Sequence, residues 1–225
     1  LSALELAVLT TKEDQGGIKH ITLEVAQESV QKPIMKLDES LYYDMLSAFI
    51  KSMRGSDPNA ALLWFARLIY AGVDPRLIVR RIIVHASEDV GLADPAAMLQ
   101  AHAAANALET VGMPEARIPI AQAILAICMA EKSNSVVDAL GEAEADAQNG
   151  NFSAVPVYLR DQSMVPRNEK NSDYKYPHMF PEHFVKQTYM PKGFEDRVYY
   201  RPSEQGNEAK LKARLERRFG KDQKP

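Results

Sequence analysis

The sequence predicts an all-α fold, on three observations. Between residues 38 and 149, apolar residues recur at i, i+3, i+4 and i+7, the period of one buried helix face. The same stretch is punctuated by helix starts and stops: Asp–Pro at 57–58, 74–75 and 94–95, and Gly at 55, 72, 91 and 112. Finally, 46% of the 225 residues are hydrophobic, enough to build the core of one large or two small domains.

Residues 1–33 read as a small separate unit: a helix in "SALELAVLT", a turn at Gly16–Gly17, a short β-like "IKHIT", and a helix started by Thr22. The first helix begins without a cap, as if truncated. It lacks the basic segment and cleavage site of a secretory leader, so no secretion is expected. "LDESLYYDMLSAFIKSMRG" starts at an Asp38 cap and stops at Gly55, with Tyr42, Met45, Leu46, Phe49 and Met53 on its inner face. "DPNAALLWFARLIYAG" is capped by Asp57, with Leu62, Phe65, Ala66 and Ile69 as its stripe. "DPRLIVRRIIVHASEDVG" runs from Asp74–Pro75 to Gly91, and "DPAAMLQAHAAANALETVG" from Asp94–Pro95 to Gly112 with Met98, Ala101, Ala105 and Leu108 inward. The Asp–Pro spacings of 17 and 20 residues read as helix capping rather than as a repeat. The next helix spans Pro119 to Ala130, because proline is tolerated only in a first turn; it is apolar nearly all round and should be the most buried. Another runs from Ser133 or Ser135 to Gln148, with Val136, Leu140, Ala143 and Ala147 as its stripe and Glu142, Glu144 and Asp146 on its acidic face. Residues 151–203 are irregular and rich in proline and aromatics, a strap; 204–219 form a basic amphipathic helix before a frayed tail.

Composition excludes several classes. No apolar run reaches the ~18 residues that span a bilayer. The single cysteine, Cys128, lies in apolar "AILAICMA", which rules out an internal disulfide and a cysteine metal cluster and fits a cytosolic protein. Neither G-x-x-x-x-G-K-[ST] nor G-x-G-x-x-G after a strand occurs. The net charge of −3 hides an asymmetry: residues 1–150 carry 12 Lys and Arg against 20 Asp and Glu, residues 151–225 carry 15 against 10. Opposed halves of this kind suit mutual contact, contact between subunits, or a basic end meeting an acidic partner.

Four clusters are candidates for chemistry. His85, Glu88 and Asp89 share a helical face, with Ser87 adjacent; a catalytic reading needs a nucleophile facing the histidine, so polar contacts to a loop or subunit are the plainer reading. Arg76, Arg80 and Arg81 suit phosphates, or acidic helices such as that of Glu142 and Glu144. His178 and His183 with Glu182 have no common zinc spacing. In "YKYPHMFPEHFVKQTYMP" the rings Tyr174, Tyr176, Phe180, Phe184 and Tyr189 interleave with Lys175, Lys186 and Lys192, and Lys170 precedes them; this suits base stacking, or packing of a proline-stiffened strap between helices or subunits.

Long motifs extend the reading. "SAFIKSMRGSDPNAALLWFARLIYAGVDPRLIVRRIIVHASEDVGLADP", then "AEKSNSV" and "YKYPHMFPEHFVKQTYMP", resemble in order the C-terminal part of the replication-associated recombination protein A family, bacterial AAA+ ATPases related to the Werner-helicase-interacting protein. The resemblance covers roughly residues 1–200. It implies the end of an AAA+ lid subdomain over 1–33, a helical, bundle-like oligomerisation domain with its strap over 34–203, and a basic helix and tail over 204–225. It further implies a homotetramer, a DNA-dependent ATPase parent at stalled forks, single-stranded-DNA-binding protein as a partner, and a cytoplasmic, nucleoid-associated setting. ATP and magnesium would sit in an N-terminal module, so no catalytic, cofactor or metal residue carries over. "HMFPEHF" departs from the family's more glycine-containing stretch. The residues expected to meet another subunit or DNA are Arg76, Arg80, Arg81, Glu88, Asp89, Lys175, Tyr176, His178, Lys186 and Tyr189.

Overall fold

The computed structural model describes residues 3–30, 39–161, 163–164 and 173–220. The fold is all-α: the described residues hold nine α-helices and no strand. They gather into two units, residues 1–86 with 96–130, and residues 87–95 with 131–225.

In the first unit, α1 (Ala3–Thr10) packs on α2 (Leu23–Val30). The β-like reading of "IKHIT" reduces to one isolated bridge, Glu13 to Lys19. The cause is Asp14, whose carboxylate accepts from the Gly16 and Ile18 N–H groups at 2.8 and 2.9 Å and closes a tight loop where a strand would have continued.

Helices α3 (Glu39–Arg54), α4 (Pro58–Tyr70), α5 (Pro75–His85), α6 (Ala96–Thr110) and α7 (Arg117–Met129) form the main bundle. The Asp38 cap expected for α3 lies outside the described residues. Met45, Leu46, Phe49 and Met53 are buried on α3 as its period requires. Its left-handed exit falls on Ser56, φ 58°, not on Gly55. Asp57 caps α4 by accepting from the Asn59 and Ala60 N–H groups, and Asp74 caps α5 through the Arg76 N–H.

Two predicted stripes are shifted. On α4 the buried residues are Ala61, Phe65 and Leu68, while Ala66 is exposed. On α6 they are Ala97, Ala101, Ala104 and Leu108. Both helices carry apolar residues over more than one face, so periodicity alone fixes the face only to within one position. Helix α5 ends at His85, and residues Ala86–Val90 form a π-helical turn instead of extending it to Gly91. Helix α7 starts before Pro119, whose missing N–H costs nothing in a first turn. It packs against α3, α4, α5 and α6, burying Ile120, Ala123, Ile124, Ile127 and Cys128. It is not buried all round: Ile118 and Met129 stay 75% and 73% exposed.

In the second unit, α8 (Ser135–Asn149) leaves Leu140 and Ala147 exposed, against expectation, and half-buries Val136, Ala139, Ala143 and Asp146. Its partner explains the rotation: the chain at 197–201 grips the acidic side of α8 through Arg197 and Tyr199 to Asp146 and Arg201 to Glu142. The strap has 3-10 turns at Val157–Leu159, Pro177–Met179 and Pro181–His183. The final helix, α9 (Glu208–Phe219), begins later than position 204 because Gly206 is left-handed, φ 50°, where a Cβ would run into the Ala93 carbonyl oxygen.

Candidate functional site

Within the first unit, an open groove of ≈ 760 Å³ runs between α4 and α7. Leu62, Phe65 and Ala66 form one wall, and Ile118, Ala121 and Leu125 the other. Ile118, Gln122, Leu125 and Met129 follow i, i+4, i+7, i+11, so α7 presents a second, outward face beside the core face. Leu63 and Tyr70 add exposed apolar area on α4. Sequence reading missed this groove because a helix apolar all round gives no sign of which face is left open.

Arg76 is paired within the first unit. Its Nε and Nη2 donate to the two Glu109 oxygens at 2.8 and 3.2 Å, joining α5 to α6. The bond holds the Glu109 carboxyl below its ordinary range and raises Arg76. Arg80 and Arg81 are exposed on α5. His85 is buried in the first unit; Glu88, half-buried, and Asp89, buried, belong to the second, where the Asp89 carbonyl accepts from the Ser133 N–H at 2.8 Å.

In the second unit the strap is tied down in the middle and open at its aromatic end. Gln187 bonds both backbone groups of Lys175 and donates to the Tyr189 hydroxyl at 2.6 Å; the Tyr158 hydroxyl donates to the Thr188 carbonyl. Tyr176, His178 and His183 form a row of exposed rings with centroids 5.1 and 5.0 Å apart. Neighbouring rings are tilted by 44° and 50°, which leaves an exposed aromatic surface. Lys175 is exposed, and Lys186 and Tyr189 line a cleft of ≈ 750 Å³ with Arg197 and Phe219. On α9, Lys210, Arg214 and Arg217 lie exposed at i, i+4, i+7, a basic stripe along one side.

One constellation escaped the sequence reading. Glu208 is fully buried. Its Oε2 accepts from the Ser133 hydroxyl at 2.6 Å and the Ser203 N–H at 2.8 Å; its Oε1 accepts from the Ser135 and Tyr200 hydroxyls. Burial pushes this carboxyl up, but the hydrogen bonds from Ser133, Ser135 and Ser203 outweigh it and hold it at about 2. Tyr200, half-buried and donating to that carboxylate, is pushed up to about 12 by its partial burial and that bond. The signal available in sequence was "SNS" ahead of a helix, a pair of hydroxyls that read only as a cap.

The family described as "MgsA AAA+ ATPase C terminal" matches residues 55–218, and the "AAA C-terminal domain" matches 1–54. Among curated relatives, Replication-associated recombination protein A of Bacillus subtilis is 47% identical over 92% of this chain and 50% of its own length. The Escherichia coli K12 protein of the same name is 37% identical over 96% of this chain and 49% of its own. ATPase WRNIP1 of Dictyostelium discoideum is 31% identical over 89% of this chain and 25% of its own. The chain thus spans about half the length of the bacterial relatives it matches. No helix among the described residues is long and apolar enough to cross a membrane.

Proposed function

The chain belongs to the MgsA AAA+ ATPase C-terminal family, and from that premise we propose that it is the self-association and coupling half of a DNA-dependent AAA+ ATPase of replication, recombination and repair. The observation that carries the reading is the uncovered α4–α7 groove, with Ile118 and Met129 protruding beside it. Apolar area of this kind, rimmed by Glu115 and Arg117, suits a second copy of the chain. Four copies would hold four ATPase modules, with their ATP and magnesium, and weak DNA contacts at high effective concentration at a stalled fork. Single-stranded-DNA-binding protein would be a partner of the assembly.

Sedimentation velocity on the chain and on I118D/M129D tests this. The wild type should sediment as an oligomer and the variant as a folded monomer. A monomeric wild type contradicts the reading; an unchanged variant assembly removes the groove from it.

A second reading rests on the basic stripe of α9: this portion touches nucleic acid directly. Anisotropy with a single-stranded oligonucleotide should show affinity falling steeply with salt, and K210E/R214E/R217E should abolish most of it. No binding at low salt would remove this reading.

A further inference from the structure

We propose that α9 is a releasable latch on the strap: Glu208, seated in a socket of Ser133, Ser135, Tyr200 and Ser203, fixes its first turn, while its last turn clamps the strap at Glu182 and Phe184. This holds whether or not the chain self-associates.

The fully buried side chain of α9 is a carboxylate, not an apolar group; Leu211 and Leu215 are only half-buried. A twelve-residue helix is marginal alone and needs an anchor. A buried carboxylate serves as one only when fully hydrogen-bonded. Here each oxygen accepts two donors, which occupies its lone-pair directions. Two of the donors come from the start of α8, the end of a helix that favours negative charge. Without the acceptor, the Ser203 N–H loses its partner and three hydroxyls are left to find acceptors among themselves.

At the far end the Phe219 ring meets Phe184 edge-on at 5.4 Å, the Arg218 guanidinium lies 5.0 Å over Phe184, and Arg217 reaches Glu182 at 3.4 Å. The clamped segment is strained: Glu182 and His183 hold φ of 54° and 50°. Non-glycine residues keep such angles only where their surroundings impose them. The clamp supplies that constraint, so the strap's ring row is ordered by a carboxylate on another element. Release would free Arg217 from Glu182 and uncover Phe184 together. Left-handed Gly206, with the Asn207 N–H on the Ala93 carbonyl at 2.7 Å, is the point about which α9 would swing.

The test uses the full chain, E208Q, and S133A/S135A. Hydrogen exchange is followed over α3–α9, and chymotrypsin cleavage after Phe184 reports the strap. Both variants should raise α9 exchange and Phe184 cleavage about tenfold or more, with α8 and the first unit unchanged. Unchanged α9 exchange in both variants overturns the proposal. So does a loosened α9 with unchanged cleavage, or loss of α8 protection along with α9, which would make Glu208 a determinant of the whole unit.

Discussion

Glu208 keeps its charge out of water because neutral donors fill both of its oxygens. A carboxyl held at about 2, below its ordinary 4.5, contributes stability that is fully present above pH 4.5 and is lost as pH falls toward 2. The size is on the order of 3 kcal/mol. The melting-temperature gap between wild type and E208Q should therefore be widest above pH 4.5 and narrow toward pH 2, where a protonated glutamate resembles glutamine. A gap constant from pH 7 to 2 contradicts this. At the same scale Arg76 meets a protein carboxylate, one of the two kinds of partner its charge allowed: its bidentate partner, Glu109, lies on α6, a helix with a single acidic residue. Sequence gives the sign of a charge but not which opposite charge it meets across dozens of residues.

At the scale of elements, legibility followed local chemistry. The Asp57 and Asp74 caps are set within three residues, so the starts of α4 and α5 were readable. Faces were not, because they depend on partners. Ala61, Phe65 and Leu68 point inward on α4 only because α3 and α7 lie there, and Leu140 faces outward on α8 because the chain at 197–201 covers the other side. Helix α7 gives the sharpest case, with a core face and a largely apolar outer face. In I118D/M129D that outer face carries two new charges far from Ile120, Ile124 and Ile127, so the far-ultraviolet circular dichroism should stay that of the wild type while assembly is lost. A collapse of the helical signal would place both residues in the fold instead.

For the whole molecule, the −8 and +5 halves are partly spent internally: Arg197 and Arg201 pair with Asp146 and Glu142 of α8 within the second unit. Among the cations that stay exposed are Lys210 and Arg214 on α9, Lys175 and Lys186 on the strap, and Arg80 and Arg81 on α5. The family was legible in the long motifs, and its model matches residues 55–218. The Glu208 socket was not, since it joins residues 133, 135, 200, 203 and 208 through folding alone. The central claim is that this chain assembles by itself. Multi-angle light scattering over a roughly hundredfold dilution tests it most directly. The account predicts the mass of four chains at the upper concentrations; the mass of one chain at every concentration would contradict it.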